Sequence, residues 1–462
     1  MSGRPDARQQ AAAEALELRR RMREAEESIL SRAPEHDLVP SLDRIAAVME
    51  LMGDPQRAFP VVHVTGTNGK TSTTRMIERV LRETGLSTGR FTSPHLHDVR
   101  ERISLNGSPI PEEKFLAAYA DAIPFVEMVD ARSLAEGGPR MTYFEVLVAV
   151  AYAAFADAPV DVAVVEVGMG GAWDATNVAD GIVSVVTPVG VDHERFLGSS
   201  VEQIATEKSG IIKPGAITVT SEQLPEVLHI LQDRAEEVGA TLAVEGEQFG
   251  LLTREVAVGG QQLSVRGLGG DYRDLFLPLH GEHQAHNAAT AIAAVEAFLG
   301  GGEQRVEPEV LATALGRVTS PGRMEIVRRS PTVMVDAAHN PAGALALREA
   351  LRDSFTFIRL VGVVAIFEDK DAAGILEALE PVFDHLVATR TSSSRAMRPE
   401  RLGALAGEVF GEDRVTVVRD LPDALDTAAG IADEGGPGGG VIATGSVFTA
   451  AEVRMLLGAT DT

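Results

Sequence analysis

The stretch Val61-Val62-His63-Val64-Thr65-Gly66-Thr67-Asn68-Gly69-Lys70-Thr71-Ser72 constrains this chain more than any other. A β-branched run suited to a buried strand ends in a glycine turn, and a helical pattern begins at the Lys and Thr that follow. Strand, loop and helix in that order form the unit from which parallel sheets with helices on their faces are built. The glycines let backbone N–H groups close around phosphate oxygens, and the helix N-terminus adds partial positive charge. Lys70 is placed to reach outer phosphates, and the Thr71 hydroxyl to face Mg²⁺. Val64 stands where the longer GxxxxGK(S/T) pattern has its first glycine, so this is a shorter GTNGKT loop. A tight turn carrying a surface lysine is the plainer alternative.

The second strong signal is Glu166, inside Val164-Val165-Glu166-Val167 near the carboxyl end of a strand expected to be buried on both faces. A buried carboxylate is costly unless it is paired or holds a cation. Ligands of open α/β sheets gather at the carboxyl ends of the strands. Glu166 is therefore a candidate Mg²⁺ ligand, with a structural carboxylate capping the following glycines as the alternative. Gly168 to Asn177 form a glycine-rich turn with Asp174 in it, a weak signal alone because turns use the same residues. Asp192-His193 follows the next strand, and His193 is a second candidate ligand. Lys208, by its spacing, is an ordinary basic residue at a helix C-terminus. Asp336-Ala337-Ala338-His339-Asn340-Pro341 sits between a strand and a helix, where Asn340 and Pro341 make a good helix start. Gly445-Ser446 holds an equivalent place after the last strand.

Composition narrows the partners. Of 462 residues, 45% are apolar, enough for sizeable cores, and the formal charge is −25. Nucleic acid and anionic membranes attract basic surfaces, so neither is expected as a partner. There is no cysteine, which excludes disulfides, thiol nucleophiles and zinc–thiolate sites. The longest apolar run, Val146 to Ala156, is too short to span a bilayer and reads as a buried helix. A cytoplasmic monomer is expected.

The pattern divides the chain into a charged helical extension over 1–35, a first α/β unit over 36–320 and a second over 321–462. In the second, five strand candidates alternate with helices: Thr332–Val335, Arg359–Val364, His385–Thr389, Val415–Val417 and Val441–Thr444. That rhythm predicts a doubly wound sheet. Residues 241–280 are glycine-rich with short alternating stretches, which suggests a small antiparallel section.

From about Ser41 to Leu457 the chain resembles the folylpolyglutamate synthases and dihydrofolate synthases of the Mur ligase family. The motifs that carry it stand in order: HVTGTNGKTS (63–72), FTSPHL (91–96), ERIS (101–104), TYFE (142–145), EVGMGG with DATN (166–177), DH with LG (192–198), EKSGIIKPG (207–215), SPGRME (320–325), DAAHNP (336–341), SRAM (394–397) and TGSVFTAAEVR (444–454). The resemblance implies an N-terminal P-loop-type ATPase domain with a mostly parallel sheet and a C-terminal Rossmann-like glutamate-ligase domain. It implies ATP, Mg²⁺ and L-glutamate, with dihydropteroate or a reduced folate as the acid.

Roles carry over position by position. Gly66, Thr67, Asn68, Gly69, Lys70, Thr71 and Ser72 would hold ATP, with Asn287, Arg323 and Asp336. Thr71, Ser93, Glu166 and His193 would bind Mg²⁺, and a carbamylated Lys208 a second ion. Ser93, Pro94, His95, Arg102, Phe144, Asp174 and Ala175 would border the pterin and folate. Asp336, His339 and Ser446 would lie near the incoming glutamate, so Lys70, Lys208 and His339 become the catalytic candidates. Three departures stand out. Ala172 replaces the arginine usual after the two glycines, with Arg195 as its candidate substitute. Glu194-Arg195 follows Asp192-His193, and Ala365 to Glu368 precede Asp369-Lys370. The competing readings are a Mur-type ligase acting on another carboxylate and a nucleotide-binding regulator without ligase activity.

Overall fold

The computed structural model describes residues 7–34, 39–434 and 436–459. Its larger sheet is built around β1 (Val61–Thr65), a strand buried along its whole length. Side chains alternate across it: Val62 and Val64 enter one core, and Val61 the other. The same split divides Val162 and Val164 from Ala163 and Val165 on β5 (Val162–Glu166). Continuous valine runs thus mark strands covered on both faces. The sheet also contains β2 (Thr88–Phe91), β3 (Ile103–Leu105), β4 (Ser108–Pro109), β6 (Gly181–Val186), β7 (Ile217–Thr220) and β8 (Thr241–Val244). Across it the order is β4-β3-β2-β5-β1-β6-β7-β8. β3 and β4 form an antiparallel edge, and the other six strands run parallel.

One face of the sheet packs on α3 (Lys70–Glu83), α9 (Glu282–Gly300) and α10 (Pro308–Leu315). The opposite face packs on α1 (Ala7–Leu30), α2 (Asp43–Leu51), α4 (Glu112–Ala135) and α5 (Tyr143–Asp157). Short α6 (Glu194–Leu197), α7 (Val201–Ser209) and α8 (Pro225–Val238) close a smaller core around Ile204 and Leu231. The charged helical extension over 1–35 is, in its described part, packed onto the first unit rather than free. Leu18, Met22, Ala25 and Ile29 make a helical stripe that packs into the core, and Arg32 pairs with buried Asp130 at 2.8 Å. A narrow stripe on a highly charged helix hides its burial from composition.

The expected antiparallel section is a three-stranded sheet of β9 (Gly250–Ala257), β10 (Gly260–Arg266) and β11 (Asp271–Leu277). Residues 241–244, placed in that section by the sequence, instead extend the main sheet as β8. The second α/β unit contains β12 (Glu325–Arg329), β13 (Thr332–Val335), β14 (Arg359–Val364), β15 (His385–Ala388), β16 (Val415–Val417) and β17 (Gly439–Thr444). Their order is β12-β13-β17-β14-β15-β16, with β12 alone antiparallel among them. α11 (Pro341–Ser354), α12 (Ala372–Leu379) and α13 (Pro399–Phe410) cover one face, and α14 (Leu421–Asp433) and α15 (Val447–Leu456) the other. β12 is not among the strand candidates of the sequence; pairing with β13 makes its residues a strand. No helix among the described residues is long and apolar enough to cross a membrane.

Candidate active site

The loop from β1 to α3 leaves the middle of the large sheet, where neighbouring strands lead off in opposite directions. Gly66 has φ +145°, and a Cβ there would lie 1.9 Å from Thr187 Oγ1. Gly69, with φ +88°, passes so close to Asn287 that a Cβ would sit 2.6 Å from its Oδ1. The Thr67 and Asn68 amides donate to Pro188 O at 2.9 and 3.3 Å, which fixes the loop rather than a ligand. The first-turn amides of α3 are thus the donors that helix geometry leaves for phosphate. Ser72 Oγ meets Ser320 Oγ at 2.9 Å and ties α3 to the segment before β12.

Lys70 Nζ folds back onto Gly66 O at 2.9 Å and Thr67 O at 3.0 Å. Burial lowers its pKa, against the pull of Glu166 and Asp192. Lys208 reaches Gly66 O from behind the loop at 2.8 Å, so both ammonium groups share one carbonyl oxygen. Burial first, and the Lys70 charge second, push Lys208 down to about 7. Thr71 Oγ1 donates to Glu166 Oε1 at 2.8 Å, and Ser93 N to Oε2 at 3.3 Å. Burial raises the Glu166 pKa, which Lys70 and the Thr71 bond oppose. The oxygen donors of Thr71 and Glu166 suit a hard cation. Among the described residues no group of three or more His, Asp or Glu forms a ready-made metal cage. Mg²⁺ commonly takes one or two carboxylates and completes its shell with substrate phosphates and water, so the donor set fits. His193 stands on the same cavity wall, with burial holding its ring down at about 3.

A cluster next to this site joins the two sheets. Asp192 accepts from Lys370 Nζ and from Asn340 Nδ2 at 3.2 Å, and lies 3.3 Å from His339 Nε2. Burial alone would raise the Asp192 pKa, but the His339 bond and the neighbouring His193 and Lys370 hold it far below the usual carboxylate range. Asn340 also exchanges amide hydrogen bonds with Asn68 at 3.1 and 3.3 Å while capping α11. The reading of Asn340 as a helix cap is correct and incomplete. Lys370 was missed as a site residue; its signal was a lysine shortly after the carboxyl end of β14, where ligands of such sheets gather.

One cavity of about 930 Å³ is walled by Asn68, Lys70, Thr71, Glu166, His193, His339 and Lys370, while Gly66, Asp192, Lys208 and Asn340 lie off its wall. Ser93, Pro94, Phe144, Asp174 and Ala175 line one end, with Arg44, Thr142, Glu145 and Trp173. Arg323, Asp336, His339, Lys370 and Ser446 line the side contributed by the second unit, and Asn287 lies by the loop. Asp336 accepts the amides of Met324 and Ala338 at 3.0 and 2.8 Å. Ser446 caps α15. His95 and Arg102 are not on the cavity wall: Arg102 Nε donates to His95 Nδ1 at 2.9 Å, and its guanidinium lies over the Tyr143 ring.

Ala172 has a structural account. A Cβ at Gly210 would lie 2.4 Å from the Ala172 Cβ, so the glycine-rich loop runs directly against the end of α7. Glu207 O accepts from Ala172 N at 2.9 Å, Glu207 Oε1 from Trp173 N at 3.1 Å, and Asn177 Nδ2 donates to Ala172 O at 3.0 Å. Arg195 is exposed with its guanidinium over Phe196, so Glu207 and Asn177 steady the loop, not Arg195.

Residues 322–447 match the model of the Mur ligase, glutamate ligase domain. A dihydrofolate synthase/folylpolyglutamate synthase of Mycobacterium tuberculosis is 48% identical over 447 residues, 92% of each chain. The chain belongs to the dihydrofolate synthase/folylpolyglutamate synthase family. As a member it is an ATP-dependent acid–amino-acid ligase. The structure of M. tuberculosis folylpolyglutamate synthase complexed with ADP matches at a TM-score of 0.92 and 46% identity, covering 96% of this chain and 100% of that one. The Escherichia coli family member in complex with DHPP and ADP matches at 0.80 and 30%, covering 91% and 94%. Both comparisons span the two α/β units and the cavity between them.

Proposed function

We propose that this ligase joins L-glutamate to 7,8-dihydropteroate and also extends reduced folates. The observation that carries this reading is the single cavity in which the phosphate loop stands between Phe144 and Asp174 on one side and Asp336, His339 and Ser446 on the other. An acid held at the first end presents its carboxylate to the γ-phosphate of ATP. The carboxylate oxygen attacks phosphorus and ADP leaves, giving an acyl phosphate. The amine of glutamate attacks the acyl carbon, loses a proton, and inorganic phosphate departs with the amide formed. Such a site works by positioning and by neutralising charge.

Lys70 supplies positive charge to the outer phosphates once they draw it from the carbonyls of Gly66 and Thr67. His339 Nδ1 lies 2.9 Å from Ala337 O and its Nε2 3.3 Å from Asp192, which fixes the ring on the glutamate side of the cavity. Phe144 offers a ring face, and Asp174 accepts N–H groups of a pterin. Thr71, Ser93, Glu166 and His193 are the Mg²⁺ set, and a carbamylated Lys208 belongs to a second site. The ions supply charge neutralisation for the phosphates. A lysine lowered to about 7 carries a substantial fraction of neutral amine near neutral pH, the form that adds to the carbon of CO₂ and sheds a proton to become a carbamate. With Asp192 binding both units inside one chain, a cytoplasmic monomer is sufficient for the site.

ADP release measured with ATP, Mg²⁺ and glutamate tests the reading. We expect release to require either dihydropteroate or tetrahydrofolate, with a mass gain of one glutamate in each. Binding of ATP with turnover of neither acid overturns the folate assignment. A carbamate carbon resonance in protein equilibrated with ¹³C-bicarbonate, missing in Lys208→Ala, tests the modification.

A further inference from the structure

Behind Asp174 runs a chain of buried side chains that the reaction itself does not use. Asp174 Oδ1 takes two donors from one residue, Thr176 N at 3.0 Å and Thr176 Oγ1 at 2.5 Å. Asp174 Oδ2 accepts the Met169 amide at 2.9 Å. Thr176 Oγ1 lies 2.9 Å from His63 Nε2, on β1. Both His63 and Thr176 are fully buried, and Tyr152 OH fixes the Thr176 backbone by donating to its carbonyl at 2.7 Å.

Proton counting orders this chain. A hydroxyl has one hydrogen, and an ionised carboxylate only accepts. The Thr176 proton therefore goes to Asp174, and the Thr176 oxygen must accept from His63. His63 then carries its hydrogen on Nε2, and its Nδ1 is a bare lone pair. Nδ1 is buried with no hydrogen-bond partner among the described residues, as that tautomer leaves it. Burial, assisted by the charge of Lys213, lowers the ring to about 3, so it stays neutral. A half-satisfied buried imidazole costs folding free energy that an aliphatic residue would not. The position thus answers to something other than packing.

We infer that His63 is a positioning residue for pterin recognition: through Thr176 it locks the Asp174 carboxylate in one orientation, with Oδ1 satisfied and the second lone pair of Oδ2, beside the Met169 amide, left to a ligand N–H. The inference rests on the proposal that Asp174 is the pterin acceptor. It separates His63 from the phosphate loop that begins at the end of the same strand. A merely structural role for a β1 residue disturbs that loop and hence ATP; a positioning role through Thr176 disturbs the pterin.

Two measurements decide it. Imidazole ¹⁵N spectra of the ligand-free protein at neutral pH should show His63 protonated at Nε2 and bare at Nδ1; the opposite tautomer overturns the chain of bonds. Steady-state kinetics then compare His63→Phe, His63→Gln, Thr176→Val and Thr176→Ser, using whichever pteridine acid the wild type turns over. Loss of one buried hydrogen bond in His63→Phe predicts a rise of about tenfold in KM for that acid, and Thr176→Val, which removes two, predicts a rise at least as large, with KM for ATP and kcat little changed. The donors of His63→Gln and Thr176→Ser should restore most of it, and the double variant His63→Phe/Thr176→Val should be no worse than Thr176→Val alone. An equal rise in KM for ATP, or additive losses in the double variant, overturns the inference. Should His63→Phe fail to fold, the Thr176 pair carries the same comparison. Wild-type turnover tests the substrate reading by itself, and the tautomer tests the chain of bonds without any substrate, so the two ideas fail separately.

Discussion

Gly66 and Lys70 show how differently two residues of one loop respond to replacement. A methyl group at Gly66 would meet Thr187 Oγ1 at 1.9 Å and its carbonyl oxygen at 2.8 Å, with φ at +145°. Gly66→Ala is expected to lose about 2 kcal/mol or more of unfolding free energy in urea, together with ATP turnover, because clash and backbone strain both fall on the loop. Lys70 is the reverse case. Burial lowers its pKa, so its charge is a cost to the folded state rather than a support. Lys70→Ala should keep the wild-type melting temperature within a few degrees and lose turnover by about a hundredfold or more, the scale of one lost charge at a phosphoryl-transfer centre. Wild-type turnover in that variant would remove Lys70 from the site.

At the level of elements, stability depends on polar ties that cross between helices. Arg32, after α1, donates to Asp130 of α4 at 2.8 Å and to Met141 O at 3.1 Å, with both ionic side chains buried. Arg32→Met leaves Asp130 with Arg140 and the Met141 amide, so the cost should fall near 3 kcal/mol, the low end for a broken buried pair. Urea unfolding measures it, and no change would mean that α1 is not part of the cooperative unit. On α9, His286 Nδ1 lies 2.6 Å from Glu245 Oε1, just beyond β8. That hydrogen bond raises the His286 pKa. A raised histidine stabilises fully below its unfolded pKa of about 6.5 and loses that contribution as pH climbs through the folded value. The melting temperature of His286→Ala should therefore fall furthest below wild type near pH 5.5 and approach it by pH 9. The side chain is one-third exposed, so solvent screening keeps the gap small. A gap that widens with pH would contradict the assignment of the bond.

For the whole molecule, the decisive contacts are those that set one sheet against the other. Asp192 gathers Lys370, His339 and Asn340 from the second unit beside the phosphate loop of the first. Arg254 to Asp353 and the fully buried Arg454 to Glu325 add further ion pairs, the first of them between the units. Asp192→Asn keeps the shape and removes the charge, so Lys370 and His339 lose their shared partner. The expected result is a larger radius of gyration of the ligand-free protein in solution scattering, and a KM for glutamate raised more than that for ATP. Unchanged scattering together with unchanged kinetics would show that the Asp192 cluster does not hold the two units.

The sequence by itself determined the parts that depend on neighbours along the chain. Valine runs gave β1 and β5, the glycine–lysine turn gave the phosphate loop, and the Asn340-Pro341 pair gave the start of α11. Alternation of strands with helices gave two mostly parallel α/β units. These follow from side-chain period and turn chemistry, which act over a few residues. Tertiary structure decided what those parts touch. It paired 325–329 with β13 as a strand, seated the stripe of α1 in the core, and set His95 and Arg102 behind the cavity. It brought Lys208 under Gly66, Lys370 to Asp192 and His63 to Thr176, pairs separated by 142, 178 and 113 residues. Which residues meet over such distances depends on the order of strands in the sheet and on how one sheet faces the other. Neither is written in any local period of the chain.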